Sequence, residues 1–85
     1  MNGRRFSIQF SELALGNLRS LPKREAAQIL KKIARLESGM QGNIKRLQGA
    51  DIGYRLRMGN YRVLFDVQGD IILIQKIGHR KDVYD

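Results

Sequence analysis

The stretch Tyr54-Arg55-Leu56-Arg57-Met58-Gly59-Asn60-Tyr61-Arg62-Val63-Leu64-Phe65 leaves the backbone little choice. Side chains alternate in character on both sides of Gly59-Asn60, which is the period-two signature of two half-buried strands. A two-residue Gly-Asn link predicts a tight hairpin turn, and that turn sets the register. Met58 then faces Tyr61, Arg57 faces Arg62, and Leu56 faces Val63. Tyr54, Leu56, Met58, Tyr61, Val63 and Phe65 share one face, while Arg55, Arg57 and Arg62 share the other. Like charges directly opposite on a sheet repel. Arg57 against Arg62 therefore points to an anion held between them.

The rest of the chain supplies partners for that hairpin. Phe6 to Phe10 alternates and predicts a first strand. Ser11 suits an N-cap, with Glu12 in the first turn. Ala14, Leu18 and Leu21 recur at helical spacing, and Pro22 ends that helix and opens the next. Ala26, Ile29, Leu30, Ile33 and Leu36 form one apolar stripe, and Ser38-Gly39 stops it. Residues 40–53 carry Gly42, Gly49 and Gly53 and read as a loop. Within it Leu47 meets the core edge, and Lys45 and Arg46 lead toward the arginine face. The second strand is Tyr54–Met58 and the third Tyr61–Val67; a turn at 68–70 leads to the fourth, Ile71–Ile77, which Gly78 ends.

The expected fold is a single α+β domain over residues 1–85, in the order β-α-α-β-β-β. A helical hairpin packs on one face of a small, mainly antiparallel, twisted four-stranded sheet. Strict alternation through the last strand sets Ile72 and Ile74 with Phe65. It sets Ile71, Leu73 and Ile77 with the arginines, beside Leu64.

Charge narrows the partners. Lys and Arg total 16 against 8 acids, a net charge of +8, which favours RNA, DNA or an acidic protein. With no cysteine, disulfides and thiolate metal sites are excluded. One histidine, His79, cannot build a zinc site, so the expectation is chemistry without metal or cofactor. The N-terminal residues lack the apolar run of a signal peptide. The longest apolar run, Ile71 to Ile74, is too short to span a bilayer. A cytoplasmic protein without membrane contact is expected.

The chain closes on Gly78-His79-Arg80-Lys81-Asp82-Val83-Tyr84-Asp85. Together with Tyr54-Arg55-Leu56-Arg57, Gly59 to Phe65, and the Leu47-Gln48-Gly49 approach, this ending resembles the bacterial RelE/ParE toxin superfamily, on the RelE side. The resemblance covers nearly the whole chain. It implies the toxin of a type II toxin-antitoxin system, a ribosome-dependent and metal-independent mRNA endoribonuclease. The substrate's own 2′-hydroxyl would attack the adjacent phosphorus, leaving a cyclic phosphate and a free 5′-hydroxyl. Carried over by position, the site residues are Arg55, Arg57, Arg62, His79, Arg80 and Tyr84. A cognate antitoxin and the ribosome with its mRNA are the implied partners, with operator DNA bound only through the antitoxin.

Elementary chemistry suits these roles. In-line transfer at phosphorus builds negative charge that fixed guanidinium groups stabilise. Arg62, with Arg57, is assigned to the scissile phosphate. Arg80 serves the same charge or the leaving 5′-oxygen, and Tyr84 stacks on a base. Lys45, Arg46 and Lys81 suit outlying, salt-sensitive contacts to ribosomal RNA, and Arg55 a further RNA contact. The family prototype has lysines where this chain has Arg55 and Arg57. Arginine stays charged and is a poor base, so His79 becomes the candidate base for the 2′-hydroxyl, or the acid for the 5′-oxygen. Asp82 and Asp85 are the nearby carboxylates, and the tail before Tyr84 is shorter than the prototype's. Alternative readings are a ParE-like gyrase inhibitor without nuclease activity and an inactive RNA-binding remnant.

Overall fold

A computed structural model describes residues 5–39, 43–49 and 52–83. The elements run β1 (Ser7–Phe10), α1 (Glu12–Ser20), α2 (Lys23–Ala34), a 3-10 turn (Arg35–Ser38), β2 (Ile44–Arg46), β3 (Tyr54–Met58), β4 (Tyr61–Gln68) and β5 (Ile71–His79). The β3–β4 register is the one that the Gly59-Asn60 link predicts: Met58 pairs with Tyr61, Arg57 with Arg62, and Leu56 with Val63. Gly59 takes φ +55° and Asn60 does not follow it into positive φ. That is the type II′ pattern, whose twist matches the flanking strands.

The sheet has five strands, in the order β1-β5-β4-β3-β2, which corrects the expected four. β1 and β5 run parallel, and the other neighbours run antiparallel. The added strand lies inside the expected loop, where Ile44, Lys45 and Arg46 pair with Leu56, Arg55 and Tyr54. Three residues are too few to show alternation. The pairing is extended at its ends, where Arg57 N–H donates to the Asn43 carbonyl at 2.9 Å and Leu47 N–H to the Gly53 carbonyl at 2.7 Å.

Both helices cover the face that carries Leu56, Val63 and Phe65. Ala14, Ile29, Ile33 and Leu36 pack there against Leu56, Val63, Phe65, Ile72, Ile74 and Ile77. Complete burial of such a side chain is worth about 1.5–3 kcal/mol. Tyr54 stacks on Phe65 with ring centroids 5.4 Å apart, so it belongs to this core. Ser11 caps α1 by accepting from Ala14 N–H at 3.0 Å. Pro22 stands as the residue before α2, one place earlier than a first-turn position.

One irregularity redirects the end of β5. Phe65 pairs with Ile74, but Leu64 pairs with Lys76 and Val63 with Ile77. Gln75 is therefore an extra residue, a β-bulge that reverses the alternation beyond it. Ile77 was expected beside the arginines. It turns instead into the core, where it is 2% exposed. Helix α1 secures the bulge beyond the last β1 pair: Ser11 Oγ donates to the Gln75 carbonyl at 2.8 Å, and Ile77 N–H donates to Asn17 Oδ1 at 2.9 Å. On the far face, Gln75 Nε2 donates to Asp66 Oδ2 at 3.2 Å, and Gly53 N–H donates to Asp66 Oδ1 at 2.7 Å. Among the described residues, no helix is long and apolar enough to cross a membrane.

Candidate functional site

Directly paired residues point to the same side of a sheet. The face away from the helices is therefore laid out in rows. Arg57, Arg62 and Gly78 form one row across β3, β4 and β5. Two residues along the strands, Lys45, Arg55, Leu64 and Lys76 form a second row across β2 to β5. At about 3.4 Å per residue the rows are about 6.8 Å apart. Asp66 and Leu73 follow in a third row.

Arg62 is the fixed point of this face. It is 8% exposed, and its Nη1 donates to the Gly59 carbonyl at 2.7 Å and the Tyr61 carbonyl at 2.8 Å. Two carbonyl dipoles thus offset part of the repulsion from Arg57, so an anion between the pair has only the remainder to offset. They also lock the guanidinium plane against the hairpin tip. Arg57 is exposed and Arg55 half-buried.

Past β5 the chain turns back toward this face. Arg80 N–H donates to the Asn60 carbonyl at 2.7 Å, which brings Arg80 beside the hairpin tip. Asp82 and Val83 N–H both donate to the His79 carbonyl, at 2.8 and 3.0 Å. Val83 is 2% exposed and lies over Gly78, close enough that a Cβ built on Gly78 would touch it at 3.7 Å. The tail therefore covers the Gly78 end of the Arg57–Arg62 row. Lys81 is exposed in the turn. Tyr84 and Asp85 lie outside the described residues.

The register parts two other residues from the arginine pair. His79 is opposite Tyr61 and meets its ring edge-on, with centroids 6.0 Å apart and planes at 76°. That is the helix side of the sheet. Its Nδ1 accepts from Lys81 N–H at 3.2 Å, which in a neutral imidazole leaves the proton on Nε2. Arg46, opposite Tyr54, also belongs to the helix side, whereas Lys45 joins the cationic face.

Lys76 is the member that the sequence reading missed. The signal was present: an apolar face running Ile72, Ile74 and then Lys76 cannot continue unbroken, and a bulge is the usual way out. Around the hairpin tip, Arg57 also borders a cleft of about 400 Å³, whose lining includes Glu25, Gln28, Lys32, Asn60 and Tyr61. Chemically, the two rows offer forked and point-charge donors to a chain of anions, with the tightest geometry at Arg62.

Residues 8–84 match the family model described as the ParE toxin of type II toxin-antitoxin system, parDE. Toxin RelE3 of Methanocaldococcus jannaschii is 44% identical over 43 residues, which is 51% of this chain and 49% of that relative. The match thus spans about half the length of RelE3. A second protein of the same archaeon, named as toxin RelE1, is 33% identical over 86 residues, covering 94% of this chain and 96% of its own. Among solved structures, the RelB-RelE antitoxin-toxin complex from Methanococcus jannaschii superposes with a TM-score of 0.75 at 28% identity, covering 91% of this chain and 95% of that chain.

Proposed function

Because this chain belongs to the RelE/ParE superfamily of type II toxins, we propose that it is a ribosome-dependent mRNA endoribonuclease neutralised by a cognate antitoxin. The observation that carries this reading is Arg62, pinned by two carbonyls and set directly opposite Arg57. The two carbonyl bonds account for how Arg62 is held, and a phosphate accounts for why a second guanidinium, Arg57, stands opposite it.

The proposed reaction joins the substrate's 2′-oxygen to the neighbouring phosphorus and breaks the bond to the 5′-oxygen. The 2′-hydroxyl loses a proton and the 5′-oxygen gains one. Arg57 and Arg62 hold the non-bridging oxygens, where charge grows in the transition state. Arg80, beside the hairpin tip, stabilises charge on the leaving oxygen, and Tyr84 stacks on a base. Arg55 and Lys45 extend the RNA track; Arg46 and Lys81 serve ribosomal RNA at the margins. The partner of this face in the neutral complex is an acidic antitoxin segment lying over Arg57 and Arg62. Contact with operator DNA runs through the antitoxin.

His79 is better suited to positioning than to proton transfer. Its carbonyl and Nδ1 together hold three backbone N–H groups of the turn that carries Arg80. His79→Gln is accordingly expected to keep cleavage within about tenfold of the parent with an unchanged pH profile. A loss beyond 10²-fold with a flattened pH profile would return His79 to acid-base duty.

Mapping transcript 5′ ends after brief induction tests the main reading. New ends within translated messages, absent when translation is blocked, are expected. The match to a model named for ParE favours one second reading, a gyrase inhibitor of the same fold. Intact messages accompanied by DNA damage would select it.

A further inference from the structure

Lys76 reaches the cationic face only because Gln75 is an extra residue in β5. There it shares a row with Arg55, and Leu64 lies between them on β4. Leu64 is 5% exposed. The row thus sets an apolar floor of little exposure between two cationic residues. Attraction is stronger over such a floor than over open water. The Arg57–Arg62 row lies two residues away, about 6.8 Å along the strands, a step comparable with one nucleotide of extended backbone. Two parallel rows one step apart suit a polymer that carries one charge per repeat. At this row an acidic peptide gains little apolar contact, because Leu64 is only 5% exposed, so the regular spacing of charge favours RNA here over the antitoxin segment that lies at Arg57 and Arg62.

We infer that Lys76, turned outward by the β5 bulge, binds the RNA phosphate next to the one held by Arg57 and Arg62, facing Arg55 across Leu64. This rests on the nuclease reading of the same face and names the second phosphate subsite in it. Lys76 touches no reacting atom. Its contribution is to grip the strand, so that the scissile linkage is fixed at Arg62.

The test is a salt titration of the full chain with a single-stranded RNA oligonucleotide methylated at every 2′-oxygen, which cannot be cut. Each phosphate contact on a single strand adds about 0.7 to the slope of log K against log salt. Lys76→Gln is expected to weaken binding about fivefold and to make the slope shallower by about 0.7, and Lys76→Arg to restore both. Unchanged affinity and slope in Lys76→Gln overturn the inference. So does a Lys76→Arg variant as weak as Lys76→Gln, because the loss would then be structural. Weaker binding of poly-glutamate with RNA binding untouched overturns it in favour of a protein contact. Cleavage on translating ribosomes is scored in parallel with the parent protein. A parent that binds but does not cut removes the nuclease reading while the slope still decides the Lys76 contact. A parent that cuts, with an unaltered slope in Lys76→Gln, removes the contact alone.

Discussion

Arg62→Ala is expected to lower message cleavage by roughly 10²–10³-fold, the usual cost of deleting one donor to a developing oxyanion, and to abolish growth arrest. Two effects have to be separated. The same guanidinium bonds the Gly59 and Tyr61 carbonyls, so alanine also loosens the hairpin tip. Gly59 is exposed, and water can replace a partner at its carbonyl. The structural cost should therefore be about 1–2 kcal/mol, or a Tm lower by about 5–15 °C in a domain of this size. Cleavage assayed well below that Tm reports the chemistry. Arg57→Ala supplies the contrast, because Arg57 is exposed and its removal should cut activity while leaving Tm within a degree or two. Arg62→Lys keeps the charge but cannot reach both carbonyls and a phosphate with one ammonium, so an intermediate rate is expected. A folded Arg62→Ala protein that cleaves like the parent would end the nuclease reading.

The hairpin could be read from the sequence because alternation and turn chemistry both specify it, and neither depends on the rest of the molecule. The helical pair could be read for the same reason, through Ser11, Pro22 and the Ile29–Ile33–Leu36 stripe. β2 could not, because three residues carry no period and its pairing is a tertiary fact. The consequential failure is a single residue. Strict alternation through β5 would place Ile77 and His79 with the arginines and Lys76 in the core. The extra Gln75 exchanges them: Lys76 comes to the cationic face, Ile77 enters the core, and His79 goes to Tyr61. A lysine at an apolar position, followed by an isoleucine at a polar one, marks that exchange in the sequence. The bulge sits where Ser11, the cap of α1, and Asn17, within the helix, meet β5 beyond the last β1 pair. Those contacts span 64 and 60 residues, a separation that no local pattern encodes.

The same dependence makes Ser11→Ala/Asn17→Ala a strongly destabilising polar change. Ser11 caps α1 and ties the Gln75 carbonyl, and its loss alone should cost about 1 kcal/mol. Asn17→Ala strips the partner from Ile77 N–H in a residue only 2% exposed, and an orphaned buried donor costs about 1–3 kcal/mol. Both act on one bulge through one helix, so the terms should couple rather than add. A combined loss of about 1.5–3 kcal/mol, short of the simple sum of about 2–4 kcal/mol, is expected, seen as a Tm lower by about 6–24 °C. Activity should fall further than stability. Without its anchors the β5 end can slip by one residue, which would return Lys76 to the helix side and put Ile77 among the arginines. Hydrogen exchange at the Ile77 amide separates the causes, since it should speed up far more than exchange at Val63 in the neighbouring strand. If the two amides stay equally protected, and Tm moves by less than a few degrees, β4 pairing alone holds the bulge. Helix α1 would then have no part in choosing which cation joins the arginine face.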